Sequence, residues 1–368
     1  MTTRRHFLHS TGMLTTGLLM GCGPVRTGDA SDLDDKWIMP EEAERHERTW
    51  MAFGASESIW GRKLLPEVRR NLATVAKAIA RHEPVSMLAR PSELEVARSL
   101  VGPSVDVIEC PLNDLWVRDT GPTFVLTEQG RKAAIDFNFN GWGEKQEFGR
   151  DAKVAALVAR QAGARVINTD LVLEGGCIEV DGHGTAIITE SSVLNDNRNP
   201  GVSKAQFEDK LMPLLGLDKI IWLPGIRGKD ITDGHTDFYA RFASPGIVLA
   251  GYDPDPESYD HEVTIRHLEI LKTAADARGR KLEVIVLEGP TTIRETCATD
   301  EFAAGYIGFY VCNAAVIMQE FGDAQADLAA KRALEKAFPD RAIEQVAIDG
   351  IAAGGGSIHC ATQQEPAA

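Results

Sequence analysis

From Trp37 onward the chain alternates amphipathic helices with short β-rich runs, and it supplies two or three runs for each helix. A doubly wound sheet gives one strand per helix, so the excess of strands points to an α/β fold of repeated ββα units. Apolar spacing and end signals mark the helices. Residues 66–82 place Val68, Leu72, Val75, Ala76 and Ile79 on one face, with Pro66 in the first turn. Ser92 and Glu95 read as a capping box opening a second helix, and Asp151 as the cap of a third that ends at Gly163. Residues 203–215, 259–277 and 323–338 give three more. Between them lie β-rich runs such as 85–88, 123–126, 185–189, 219–223 and 343–348. No proline- or serine-rich linker interrupts residues 37–365, so residues 36–368 read as one domain.

The glycine-rich turns entering some of these runs resemble one another. Leu173-Glu174-Gly175-Gly176-Cys177-Ile178 echoes Gly354-Gly355-Gly356-Ser357-Ile358-His359-Cys360. Related turns carry Arg118-Asp119-Thr120-Gly121-Pro122 and Asp233-Gly234-His235-Thr236-Asp237. Internal repeats tend to set equivalent loops around one centre, so the polar residues of these turns are expected to converge.

Residues 1–35 stand apart from that domain. Arg4-Arg5 precedes a weakly apolar run from Leu8 to Met20, too short and too rich in Ser, Thr and Gly for a permanent membrane helix. The pattern reads as a twin-arginine export signal, with residues 23–35 as a tether. The expected location is therefore the periplasm. Cys22 reads in two ways: as a lipidation site that would anchor the protein, or as an ordinary signal end. The other cysteines are Cys110, Cys177, Cys297, Cys312 and Cys360, an odd and widely spaced set without a Cys-x-x-Cys pair. That is neither a disulfide framework nor a cysteine metal site. The net charge of −15 argues against a nucleic-acid partner, which needs basic surface.

The converging groups are three carboxylates (Asp119, Glu174, Asp237), one histidine (His235) and one cysteine (Cys360). They suit attack on a guanidinium, a planar cation with its donors in a fork. Two carboxylates can hold such a cation by paired hydrogen bonds. The bound charge would lower the thiol pKa, ordinarily about 8.5, and so help generate the nucleophile. Cys360 would attack the central carbon, while His235 would give a proton to the departing ammonia and take one from water. The chemistry asks for no metal or organic cofactor.

Several motifs resemble those of agmatine deiminases, which belong with the bacterial peptidylarginine deiminases. They are Asn113-Asp114-x-Trp116-x-Arg118-Asp119-x-Gly121-Pro122, Asn138-Phe139-Asn140-Gly141-Trp142-Gly143, Leu173-Glu174-Gly175-Gly176, Asn195-x-Asn197-Arg198-Asn199-Pro200, Gly234-His235-x-Asp237, Gln319-x-Phe321-Gly322-Asp323 and the turn ending at Cys360. The resemblance runs in order from about Pro40 to Pro366. It implies a five-bladed pseudosymmetric α/β propeller (pentein) of ββαβ units. It also implies Cys360 as nucleophile, His235 as general acid and base, Asp119 and Asp237 as the guanidinium clamp, and Glu174 as a partner of His235 or the substrate. Trp116 and Trp142 would line the substrate, and a homodimer is the expected assembly. Departures occur at Asp233, Phe238, Cys177 and residues 288–299.

The implied reaction is hydrolysis of agmatine to N-carbamoylputrescine and ammonia. One local feature favours agmatine over arginine: residues 137–149 hold no arginine to grip a carboxylate, and Lys145 is the one cation there. Rival readings are a peptidylarginine or free-arginine deiminase, an amidinotransferase, and an exported guanidine-binding protein without turnover. A metal hydrolase using Asp230, Asp233, His235 and Asp237 is a further rival, weakened by its single histidine. Cys177 reads as a structural small residue and His183 as a turn residue. His359 is expected to point away from the site.

Overall fold

Five small sheets carry the chain, and a common plan underlies each of them. The computed structural model describes residues 36–368. The twin-arginine stretch, Cys22 and the tether lie outside the described residues.

In the second sheet, β4 (Thr123–Leu126) pairs antiparallel with β5 (Lys132–Asp136), and helix Val154–Gln161 carries the chain to β6 (Arg165–Asn168), parallel to β5. The third repeats this with β7 (Ile178–Val180), β8 (Thr185–Thr189), helix Lys204–Leu215 and β9 (Lys219–Leu223). The fourth uses β10 (Ala240–Ser244), β11 (Ile247–Tyr252), helix His261–Thr273 and β12 (Glu283–Glu288). The fifth uses β13 (Tyr310–Cys312), β14 (Ala315–Glu320), helix Ala324–Ala337 and β15 (Ala342–Ala347). The first sheet is assembled from both ends of the domain. Its antiparallel pair is β16 (Thr362–Pro366) against β1 (His46–Phe53), and helix Glu57–Ile79 leads to β2 (Val85–Ala89). Helix Leu94–Val101 then adds β3 (Val105–Glu109) at its edge. The architecture is α/β, built of strand–strand–helix–strand units.

The helices pack their apolar faces on these sheets. In Glu57–Ile79 the residues Val68, Leu72, Val75, Ala76 and Ile79 are buried as the spacing requires. That element starts earlier than the sequence suggests, because Gly61 turns with a φ of 66° and lets Glu57–Trp60 join it. Two expected caps are corrected. Ser92 makes no capping bond, since a short turn at Pro91–Glu93 precedes the helix and Glu93 pairs with Arg69 and Arg90. Asp151 instead accepts hydrogen bonds from the backbone N–H groups of Asn113 (2.7 Å) and Asp114 (3.0 Å). Its carboxylate therefore shapes the loop leading to Asp119. Ser203 and Asp323 do cap their helices, Ser203 in a reciprocal box with Gln206.

Each sheet is entered by a turn just before its first strand. Val117–Thr120 precedes β4, Gly175–Cys177 precedes β7, Thr236–Phe238 precedes β10, and residues 358–360 precede β16. These are the turns that the internal repeat singled out. The equivalent turn before β13 supplies Gly308, whose carbonyl accepts from His359 N at 2.9 Å. The fold thus brings the five entry turns into one neighbourhood.

Candidate active site

Gly176 marks the centre of that neighbourhood. A Cβ placed on it would lie 2.5 Å from His235 Nδ1 and 3.1 Å from both Asp119 Oδ1 and Asp237 Oδ2. Three polar side chains from the entry turns of two sheets therefore meet the glycine of a third around one small space, kept open by a missing methyl group. Cys360 borders it: its Sγ lies 3.7 Å from Asp237 Oδ2 and 3.3 Å from Ser357 Oγ.

Each carboxylate has different partners. Asp119 accepts from the Trp142 indole Nε1 at 2.9 Å and from Gly176 N at 3.2 Å. Trp142 reaches it from a left-handed backbone, with φ at 57°, and stacks edge-on against Phe139 at 5.0 Å. Asp237 accepts from His359 Nδ1 at 2.7 Å through Oδ2, while its buried Oδ1 has no partner among the described residues. An unsatisfied buried carboxylate oxygen is costly, so this one marks where a donor belongs. Glu174 bonds His235 Nε2 at 3.0 Å and receives Arg198 Nε at 2.9 Å on both oxygens. Trp116 lies against the glycine-rich turn before Cys360, where a Cβ on Gly356 would come within 2.2 Å of its ring.

Electrostatics separate these groups. Burial pushes the Asp119 carboxyl up to about 6, with Asp237 and Glu174 adding to the rise. Burial acts on Asp237 too, but the hydrogen bond and charge of His359 outweigh it and hold that carboxyl below its ordinary value. Against the same burial, His235 and Arg198 hold Glu174 down to about 2. Burial opposes charge on His235, yet Cys177, Asp119 and Glu174 hold the imidazolium well above its usual pKa. The Cys360 thiol is pushed up by burial first and then by Asp237 and Asp119. Burial and the two aspartates thus favour the neutral Cys360 thiol, while the carboxylates favour the charged His235 imidazole. A cation between the two aspartates would reverse the field at sulfur.

The sequence reading brought the right turns together but missed several side chains. His359 was expected to point away. Its ring in fact lies between Asp237 and Glu42, because residues 358–360 form a turn and the alternation of a strand does not apply. Arg118 and Arg198 stand inside the quoted motifs without having been given roles, and Glu42 had no motif at all. Asp233, the substituted position, is fully used: Oδ2 accepts from Lys145 (2.7 Å), Arg198 (2.9 Å) and Asn197 (3.1 Å), and Oδ1 from Gly228 N. Asp230 Oδ1 likewise accepts from the backbone N–H groups of Thr232 and Gly234. Glu174, Cys177 and His235 bring one donor atom each within 4.8 Å, but the Arg198 cation already occupies Glu174. Cys177 is buried, with Sγ donating to Glu174 Oε2 at 3.3 Å. His183 sits in the β7–β8 turn, as expected.

The model of the Porphyromonas-type peptidyl-arginine deiminase family matches residues 38–366. The chain belongs to that family. Among family relatives, an agmatine deiminase of Pseudomonas aeruginosa is 38% identical over 356 residues, covering 90% of this chain and 96% of its own. A Streptomyces coelicolor protein, provisionally given the same name, is 44% identical over 337 residues, covering 89% and 98%. The solved structure of the Enterococcus faecalis agmatine deiminase superposes with a TM-score of 0.85 at 32% identity, covering 91% of this chain and 97% of that one.

Proposed function

We infer that this chain is a hydrolase of guanidinium C–N bonds that converts agmatine to N-carbamoylputrescine and ammonia. The observation that carries this reading is the pair Asp119 and Asp237 facing one space beside Cys360 Sγ, with one Asp237 oxygen left without a donor. A guanidinium supplies donors on both edges and a positive charge at the centre. Binding it offsets the two negative charges that, with burial, keep Cys360 protonated, and the thiol gives up its proton to bulk water. The thiolate then attacks the central carbon and an S–C bond forms. The C–N bond breaks as His235 delivers its proton to the leaving nitrogen, and ammonia departs. Neutral His235 next takes a proton from water. The hydroxide adds to the same carbon, the S–C bond breaks, the hydroxyl proton passes to the departing sulfur, and the neutral ureido product leaves with the Cys360 thiol restored.

Agmatine is preferred to arginine on the grounds of Lys145. Its Nζ is held by Asp233 Oδ2 at 2.7 Å and the Ile231 carbonyl at 3.0 Å, so the one cation of residues 137–149 is already committed. The named relatives in Pseudomonas aeruginosa and Enterococcus faecalis support the same choice.

Three further features complete the proposal. The five sheets form the blades of a closed propeller, supported by the β16–β1 pairing and by entry turns that meet at one site. Residues 1–35 direct export, with Cys22 as a lipidated or simply processed end. The enzyme works as a homodimer.

The deciding experiment is ammonia release by residues 36–368 from agmatine, free arginine and a peptide ending in arginine, with Cys360→Ala in parallel. Release from agmatine that the substitution abolishes is the expected result. Preference for the peptide would overturn the substrate, and no release from any of them would overturn the hydrolase.

A further inference from the structure

Asp237 is the end of a buried chain of ionisable groups that the reaction scheme above leaves unused. His359 Nδ1 donates to Asp237 Oδ2 at 2.7 Å, and on the other side of the ring Nε2 lies 2.9 Å from Glu42 Oε2. Arg118 Nη2 donates to that same Glu42 oxygen at 3.0 Å. The other oxygen, Oε1, accepts from Val311 N at 2.9 Å and lies 2.8 Å from Arg241 Nη2. Arg241 is in turn tied to Glu179 at 2.7 Å, and Arg118 to Gln364 at 2.7 Å. All of these side chains are buried. Both ring nitrogens of His359 face carboxylate oxygens, so the ring is fixed in angle and cannot swing toward Cys360.

We propose that His359 and Glu42 are positioning residues: Glu42 holds the His359 ring so that it occupies one oxygen of Asp237 and leaves the other to receive the substrate guanidinium. The inference rests on the guanidinium-hydrolase reading and deepens it. Four observations converge on it. The two oxygens of Asp237 are unequal, one bonded by His359 and one without a partner. Glu42 is itself anchored by two guanidinium groups and a backbone N–H, so it cannot drift. Arg118 Nε also donates to the His359 carbonyl at 3.3 Å, and Arg118 N to the Cys360 carbonyl at 3.2 Å. The same arginine thus steadies the ring's backbone, the nucleophile's backbone and Glu42. Finally, the opposite clamp residue, Asp119, is held differently, by Trp142 and Gly176 with His235 Nδ1 3.8 Å from its Oδ1, so the two halves of the clamp are set by separate networks.

Two substitutions separate the two bonds of the ring. An asparagine amide can donate from the place of Nδ1, keeping the Asp237 bond and losing the Glu42 bond. A glutamine amide reaches the place of Nε2, keeping Glu42 and losing Asp237. In a Cys360→Ser background, which stops turnover, calorimetry would measure agmatine and the bare guanidinium ion against the parent, His359→Asn and His359→Gln. Thermal unfolding would confirm that each is folded. His359→Gln is expected to weaken binding of both ligands by about 10- to 100-fold, the loss of a charge-assisted hydrogen bond, and His359→Asn by about 3-fold. Equal losses in the two variants would overturn the proposal and leave His359 a mere strut of the core. If either fails to fold, Glu42→Gln takes its place: it keeps an acceptor for Nε2 but withdraws the charge, with about 3-fold weaker binding expected, and unchanged binding overturns the role of Glu42. A folded parent that binds guanidinium but not agmatine overturns the choice of substrate alone. One that binds neither overturns clamp and relay together.

Discussion

Arg198 Nε lies 2.9 Å from each oxygen of Glu174, and neither side chain is exposed. The guanidinium also reaches Asp233 and the Thr232 carbonyl, in the turn that delivers His235. Glu174 therefore meets His235 with its charge and angle already set by a buried ion pair. Breaking such a pair from one side leaves an uncompensated charge, which costs about 3–5 kcal/mol. Arg198→Ala is expected to lower stability by that amount, read from denaturant unfolding, and kcat by about 100-fold or more. A fully active Arg198→Ala enzyme would remove Glu174 and its partner from the mechanism.

The empty space at Gly176 gives a sharper test, since one methyl group meets three site residues there. Gly176→Ala is expected to abolish turnover while leaving a folded protein, because its neighbours are side chains rather than backbone. Gly149 faces open space and has an ordinary backbone, so Gly149→Ala should match the parent. Circular dichroism and ammonia release on the pair would tell a filled site from a general loss of fold.

Asp119 and Asp237 raise the Cys360 thiol pKa in the free protein, after burial itself. Removing one of these charges should therefore make the thiol more acidic even as it destroys substrate binding. For Asp119→Asn, the pH midpoint of iodoacetamide labelling at Cys360 is expected to fall, while agmatine hydrolysis drops about 100-fold or more. The labelled peptide can be followed by mass spectrometry. A midpoint that stays put or rises would contradict the idea that a bound cation activates the nucleophile.

Stability should peak on the acid side of neutrality. Burial raises Glu41 to about 8, Asp151 to about 7, and Asp114 and Asp119 to about 6. Their unfolded values are lower, so the folded chain binds more protons and gains stability as pH falls from about 8 toward about 4. His235 adds in the same direction: its raised pKa gives stability that is fully present below its unfolded value of 6.5 and is lost as pH rises through the higher folded value. Glu174 and Asp233, held at about 2 by their partners, act oppositely, and their contribution disappears as pH drops below their unfolded values of 4.5 and 3.8. The thermal midpoint of the substrate-free protein is expected to be highest near about pH 5. A midpoint that climbs steadily to pH 8 would show that these carboxyls do not titrate as placed.

How far the sequence could be read depended on whether a residue acts locally or at a distance. Strands such as Thr123–Leu126, Thr185–Thr189 and Lys219–Leu223 carry their own apolar or β-branched pattern and were legible to the residue. Thr362–Pro366 is a fully buried strand made of Thr, Gln, Gln, Glu and Pro, and nothing in that composition signals burial. Its polar groups are satisfied by partners far away in sequence, such as Trp50 on Glu365 and Arg118 on Gln364. The site followed the same rule. Asp119, Glu174, His235, Asp237 and Cys360 sit in glycine-rich turns that announce themselves. Glu42 lies in a stretch of ordinary acidic residues, and its three side-chain partners are Arg118, Arg241 and His359. Asp151 looked like a helix cap because the residues after it are helical, while its carboxylate serves a loop 37 and 38 residues upstream.

The pairing of β16 with β1 ties reactivity to completeness. Cys360 is set in place by a strand that follows it, and that strand covers an edge made more than 300 residues earlier, as the 315-residue span of the Trp50–Glu365 bond records. A chain stopped short of Thr362 has neither the cover nor the fixed nucleophile. Removing Thr362–Pro366 is therefore expected to bare the β1 edge and loosen Cys360 in one stroke.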